Sequence, residues 1–193
     1  MNIRQKIGLI LLLVFLSACG GGKTEGQLHS VIFSASASQS SITAEVAKWQ
    51  DSNNDGICDS PTPLSASTEL VFRVTKIDVP QNTNPSPVRV DLIGLIYNPT
   101  GTGGTVVHPQ IPPRFETRTV IIQPDSSQTV SIKVIDESQT SQIANIMQRG
   151  SAFDYQVIMQ VRYTEVYSGR TQTYTVNVTL TIKETAEGET CTR

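Results

Sequence analysis

Two stretches near the C-terminus alternate apolar and polar residues with a period of two over an unusual length. Phe153, Tyr155, Val157, Met159, Val161 and Tyr163 fall on every second position, and so do Tyr174, Val176, Val178, Leu180 and Ile182. Only an extended strand places such a series on one face, because successive Cβ atoms point to opposite sides. Tyr167-Ser168-Gly169-Arg170 lies between them and supplies turn residues. The pattern predicts a long antiparallel hairpin with one wet face, whose apolar face needs a second layer to cover it.

The upstream sequence offers strands for that layer. Leu28 to Ser34 is a candidate first strand. Ile42, Ala44 and Val46 alternate with polar or small residues up to Trp49. Thr68 to Val79 carries Leu70, Phe72 and Val74 on one face, and its apolar phase then shifts to Ile77 and Val79, which predicts a bulge or a change of sheet. Val88 to Tyr97 is apolar on both faces and reads as a central strand. Phe115 to Gln123 and Gln128 to Ile135 follow, joined by Pro124-Asp125-Ser126-Ser127. One helix interrupts the series. Asp136 can cap it, Gln139 stands three residues on, Ile143, Ile146 and Met147 share a helical face, and Arg149-Gly150 closes it.

These elements predict a mainly β fold, an antiparallel two-sheet β-sandwich with one short helix. The architecture is similar to that of immunoglobulin- and fibronectin-like domains. The Cys–Trp–Cys spacing of true immunoglobulin domains is absent, since Trp49 precedes both Cys58 and Cys191. Two long connections, Pro80 to Pro87 and Asn98 to Arg114, are candidate interaction loops.

The N-terminus has a different character. Arg4 and Lys6 precede an apolar run from Ile7 to Leu16, and the small residues Ser17 and Ala18 lead to Cys19. This is the layout of a secretory signal. A helix over the run reaches only ~15 Å at ~1.5 Å per residue, short of the ~30 Å of hydrocarbon in a bilayer. Leu16-Ser17-Ala18-Cys19 resembles the lipobox of bacterial lipoproteins. The resemblance implies a diacylglyceryl group on the Cys19 sulfur, cleavage before Cys19, and a place in the cell envelope. With Gly20 rather than Asp after the cysteine, it further implies sorting to the outer membrane. The expected organisation is a signal peptide at 1–18, a lipidated flexible tether at 19–27, and a β-sandwich domain at 28–193 with an insertion near 51–62.

Removal of residues 1–18 takes Arg4 and Lys6 from the 15 basic residues and nothing from the 17 acidic ones, moving the formal net charge from −2 to about −4. No basic stripe or arginine cluster is present, so nucleic acid is not an expected partner. With Cys19 committed to lipid, Cys58 and Cys191 are left. An even pair in an exported chain predicts a disulfide between them, with two free thiols as the alternative.

One segment has metal-ligand spacing. In Asp51-Ser52-Asn53-Asn54-Asp55-Gly56-Ile57-Cys58-Asp59, oxygen side chains occupy the first, third and fifth positions and glycine the sixth. Ile57 can offer its backbone carbonyl at the seventh, and Asp59 stands at the ninth. Ca²⁺ takes six to eight oxygens, and this spacing wraps them around one point. The segment resembles the calcium loops of EF-hands, dockerins and thrombospondin type 3 repeats. On that resemblance Asp51, Asn53, Asp55, Ile57 and Asp59 are the ligands of a structural Ca²⁺, and Cys58 stands where the thrombospondin repeats carry a disulfide-bonded cysteine. The chain departs from the EF-hand at the twelfth position, where Thr62 replaces a bidentate Glu, and Pro61 and Pro63 forbid a following helix. The alternative is a polar turn of Asx hydrogen bonds without metal.

His29 and His108 stand apart and form no metal or catalytic spacing, and no nucleophile elbow or zinc motif occurs. The expected role is non-catalytic: an envelope lipoprotein whose partners are the membrane, through its lipid, and an envelope protein or a glycan.

Overall fold

The computed structural model describes residues 26–27, 30–58, 60–78, 84–101, 108–144, 146–147 and 151–184. The signal segment 1–18, Cys19, His29, Asp59 and Cys191 lie outside them. The elements are β1 (Gly26–Gln27), β2 (Val31–Ala37), β3 (Ser41–Glu45), β4 (Ala47–Gln50), β5 (Ser60–Pro63), β6 (Ala66–Lys76), β7 (Val88–Pro99), β8 (Arg114–Ile122), β9 (Ser126–Ile135), helix α1 (Glu137–Ala144), β10 (Ala152–Glu165) and β11 (Thr171–Lys183).

The chain is mainly β with one short helix, in two principal sheets. One has the order β1-β2-β6-β9, with β1 contributing two residues at its edge. The other is curled and has the order β3-β11-β10-β7-β8. β4 and β5 form a separate two-stranded hairpin. The long alternating segments are β10 and β11, paired from Ala152↔Lys183 to Thr164↔Thr171. Their inward residues, among them Tyr155, Val157, Met159, Val161 and Leu180, are fully or almost fully buried, with Val31, Phe33, Leu70, Phe72 and Val74 of the first sheet in the same core. Each such side chain contributes about 1.5–3 kcal/mol by leaving water.

Several expectations are corrected. The sheets are not wholly antiparallel, because β3 pairs parallel with β11, from Ser41↔Thr179 to Glu45↔Lys183. The chain crosses from the first sheet to the second between β2 and β3, and the strand expected over 42–49 divides at the buried Val46 into β3, in the second sheet, and β4, in the separate hairpin. The phase shift near Ile77 is no bulge: β6 stops at Lys76 and the next strand, β7, belongs to the other sheet, as the alternative of a change of sheet expected, while Val79 lies outside the described residues. Ile146 does not share the buried face of Ile143 and Met147. The helix ends at Ala144, the N–H groups of Ile146 and Met147 both reach the Ile143 carbonyl, and Ile146 is 61% exposed. The last two residues of the expected tether pair with β2 as β1, Gly26 opposite Phe33.

Helix α1 begins as its sequence dictates. The Asp136 carboxylate accepts from the N–H groups of Ser138 (3.1 Å) and Gln139 (3.0 Å), and the Gln139 side-chain oxygen accepts from the Asp136 N–H at 3.2 Å. This reciprocal pair satisfies donors that the first turn leaves free. The same cap closes the seam between the two edge strands β8 and β9. Arg114 of β8 donates to Asp136 (2.9 Å), to Glu116 (2.7 Å) and to the Lys133 carbonyl on β9. Arg118 reaches the Ser131 carbonyl at 3.4 Å. Side chains thus occupy acceptors that an open sheet edge would offer to another strand.

Candidate functional site

The loop from Asp51 to Cys58 caps the β4–β5 hairpin, in which Ala47 pairs with Pro63 and Gln50 with Ser60. Helix α1 packs against this hairpin, and its Thr140 hydroxyl donates to the Leu64 carbonyl at 2.7 Å. The loop therefore stands on a braced base. Its own turns come from short polar side chains folding back on the backbone. Asp51 accepts from the N–H groups of Asp55 (3.2 Å) and Gly56 (2.8 Å). The Asn53 side-chain oxygen also accepts from Asp55 N–H (3.0 Å), and the Asp55 carboxylate accepts from Ile57 N–H at 2.7 Å. Asn54 and Gly56 take left-handed backbone angles, φ 61° and 83°, which glycine and asparagine adopt at the least cost.

These bonds draw Asp51, Asn53 and Asp55 together. The three side chains are all oxygen donors in the sense that a hard cation requires, and a carboxylate oxygen that accepts one N–H retains a second lone pair. The Asn53 amide nitrogen donates to the other Asp55 oxygen at 3.1 Å. Asp55 and Ile57 are exposed and Asp51 is half-buried, so the loop is open to ions in solution. Asp59, the ninth residue of the pattern, lies outside the described residues. Among the described residues no group of three or more His, Cys, Asp and Glu side chains is disposed to hold a metal. The described donor set, two carboxylates, one amide and the Ile57 carbonyl, fits Ca²⁺ in type.

The remaining sequence candidates fall as follows. Cys58, at the end of the loop, is half-buried and engaged. Cys19 and Cys191 lie outside the described residues. The proline half of the 98–114 connection is not a free interaction loop. His108 packs on Phe153 and Tyr155 with ring centroids 5.3 and 6.1 Å away, Ile111 is buried, and the Pro109 carbonyl accepts the Tyr155 hydroxyl at 2.8 Å. Burial pushes the Tyr155 phenol up to about 12, so it stays a donor to that carbonyl. The Pro112 carbonyl accepts from Gln139 at 3.2 Å. The segment is a plug over one end of the core.

Sequence reasoning missed two features at the opposite end. Glu165 is 1% exposed and accepts from the Ser30 N–H (3.1 Å), the Ser30 hydroxyl and the Ser168 hydroxyl (2.5 Å). Ser86 N–H donates to the Ser30 oxygen at 3.0 Å, and Tyr167 N–H donates to the Ser86 oxygen at 2.9 Å. This network ties the starts of β2 and β7 to the turn after β10. The second feature is a groove on the outer face of the five-stranded sheet, lined by Arg89, Asp91, Arg162, Thr164 and Thr171. Its members come from three strands, and only the register brings them together.

No protein-family model matches the chain, and no curated protein or solved structure matches it either.

Proposed function

We propose that this chain is a lipid-anchored, non-catalytic lipoprotein of the cell envelope, placed on the outer membrane, whose β-body serves as a docking or structural support for another envelope protein. The observation that carries the reading joins anchor to body. Gly26 is already paired with Phe33, seven residues beyond Cys19. Seven extended residues span at most about 25 Å, so a lipid on Cys19 holds the folded body close to the bilayer surface. Two or three acyl chains, at ~0.8 kcal/mol per buried methylene, make that anchorage firm.

The body is read as an immunoglobulin-like sandwich. Support comes from the strand order: β2-β6-β9 in one sheet and β11-β10-β7-β8 in the other correspond to the A-B-E and G-F-C-C′ strands of such domains. The early crossing between β2 and β3 is the strand switch that joins the two layers at a corner.

Ca²⁺ is the proposed structural ion of the 51–59 loop, held by Asp51, Asn53, Asp55, the Ile57 carbonyl and Asp59. When bound it supplies a fixed positive charge that links these oxygens. A Cys58–Cys191 disulfide is the proposed link between this loop and the C-terminal tail.

The test begins with fatty-acid labelling. Wild type should take up labelled palmitate and fractionate with outer membrane, and Cys19→Ala should lose both properties. The tagged lipoprotein, cross-linked in intact cells, should then bring down one envelope protein in stoichiometric amount. An unlabelled, soluble wild-type protein would overturn the anchor. Specific binding on a glycan array with no protein partner would replace the docking role by a carbohydrate-binding one.

A further inference from the structure

The outer face of the five-stranded sheet carries a groove of about 470 Å³ where β7, β10 and β11 meet the turn 166–170. Its floor is set by register. Arg89 lies directly across from Thr164, which lies directly across from Thr171, and Arg162 is two residues before Thr164 on the same face. Asp91, two residues beyond Arg89, shares this face by alternation and is the extra residue of a bulge. Val90 opposes Tyr163 and Leu92 opposes Arg162, so Asp91 has no opposite residue on β10. The bulge changes the phase after Asp91, so that Leu92 stands across from the outward Arg162, and bulges recur beside active sites.

The charges within the groove are unequally matched. Arg89 Nε donates to one Asp91 oxygen at 2.6 Å, and the Thr164 hydroxyl donates to the other at 3.2 Å. The Thr164 and Thr171 hydroxyls are 2.9 Å apart. Arg89 and Asp91 therefore offset each other. The Arg162 side chain is exposed and has no hydrogen-bonded or ionic partner among the described residues. One guanidinium charge is left over, at the mouth of a depression whose size is in the range of small-ligand sites. Val166 adds an apolar patch to the wall, and Gly169, at φ 69°, adds backbone with no side chain.

We propose that this groove binds one carboxylate carried on a hydroxylated ring, a uronic-acid unit of an acidic polysaccharide. Arg162 takes the carboxylate with its planar fork. The Thr171 hydroxyl, the remaining nitrogens of Arg89 and the free lone pairs of Asp91 offer the mixed donors and acceptors that ring hydroxyls require. Val166 faces the C–H side of the ring. A dianionic phosphate is disfavoured because Asp91 lines the same groove, whereas a single negative charge matches the single free cation. The face beyond the groove continues polar and exposed, through Thr173, Thr175 and Asn177 on β11 and Gln160 on β10, and can carry neighbouring sugar units. The inference goes beyond the anchored-support reading and holds whether or not Cys19 carries lipid.

The test uses the full chain, purified from whole-cell extracts made in a non-ionic detergent. It is titrated calorimetrically with trigalacturonic acid, with the methyl ester of that trimer, and with N-acetylglycylglycine as a carboxylate on a peptide. The acid should bind, and the ester and the peptide should each bind about tenfold more weakly or worse. Arg162→Gln should lose about tenfold in affinity for the acid with an unchanged melting temperature, because its side chain points into solvent. Arg170→Gln, in the adjacent turn but outside the groove, should bind as wild type does. Absence of binding to the acid, equal binding of acid and ester, or unaltered binding by Arg162→Gln would each overturn the site. Equal binding of the peptide would overturn the sugar and leave a general carboxylate groove in its place.

Discussion

The ring of Phe33 lies almost parallel to that of Tyr163, with centroids 4.1 Å apart and planes 23° from coplanar. Phe33 belongs to the first sheet and Tyr163 to the second, so this stack joins the layers. Phe72 flanks Phe33 at 5.9 Å and Tyr174 meets it edge-on at 6.0 Å. The Tyr163 hydroxyl donates to Gln172 at 2.9 Å, and burial pushes its phenol up to about 12. Phe33→Ala should cost about 3–5 kcal/mol, because it leaves a cavity between two layers that cannot close independently. Tyr163→Phe keeps the stack, loses one hydrogen bond, and should cost about 1 kcal/mol. Urea unfolding of both variants checks the ranking, and a loss below that of Tyr163→Phe in Phe33→Ala would show that the sheets are held elsewhere.

Acid should weaken the corner where α1, β8 and β9 meet. Burial alone would raise the Asp136 carboxyl. Hydrogen bonds from the Ser138 hydroxyl and the Gln139 N–H, with the Arg114 guanidinium, outweigh it and lower the group from 3.8 to about 2. A carboxyl depressed in the folded state contributes stability that is fully present above its unfolded value and lost as pH falls through the folded one. The window is therefore about pH 4 down to about pH 2. Asp136→Asn retains a capping oxygen and loses the charge. It should cost about 1 kcal/mol at neutral pH, allowing for solvent screening of a partly exposed group. The gap between wild type and variant, read from urea midpoints, should close as pH falls through that window. A gap that stays constant to pH 2 would show that the charge contributes nothing.

The parts of this architecture that were legible in sequence are those whose signal is local. The period-two runs gave β10 and β11 because every inward residue from Phe153 to Tyr163 and from Tyr174 to Ile182 meets the same core. Asp136 and Gln139 gave the helix start because a capping box is a contact between neighbours. What was not legible depends on partners far along the chain. The parallel pairing of Ser41–Glu45 with the end of β11 follows from a change of sheet, and alternation alone does not say which sheet a strand joins. Ile146 fits a helical face, yet the helix has already ended. Within the 51–59 segment the turn chemistry was readable. The Arg89–Asp91–Arg162 groove was not, since it exists only once β7, β10 and β11 stand in register around a bulge.

The thiol count decides the link between the hairpin loop and the C-terminal tail. Unreduced mature protein, with Cys19 acylated, should show no free thiol, and reduction should release two. Cys191→Ser should expose one thiol at Cys58. A bridge closing more than about 100 residues contributes about 4–5 kcal/mol in the chain-entropy account, so that variant should melt well below wild type. Two reactive thiols in protein isolated without reductant would remove the bridge.

The calcium reading makes the sharpest demand on the loop. Asp55 both accepts the Ile57 N–H and meets Asn53, so its removal undoes the turn as well as a ligand. A melting shift in Asp55→Ala alone would therefore not separate metal from turn. The separating comparison is between full-length protein in about 2 mM Ca²⁺ and the same protein in EDTA. For an extracellular-type site of Kd ~10⁻⁴ M, an ion that binds only the folded state adds about 1.8 kcal/mol at that concentration. Wild type should melt higher in Ca²⁺ than in EDTA, and Mg²⁺ at the same concentration should give a smaller rise, because it holds its own water more tightly and demands octahedral geometry. Asp55→Ala should melt at one temperature in both solutions, whereas Asp78→Asn, exposed and outside the loop, should keep the difference. If wild type itself melts identically with and without Ca²⁺, the hydrogen bonds from Asp51, Asn53 and Asp55 are sufficient to account for the loop, and it is a metal-free turn.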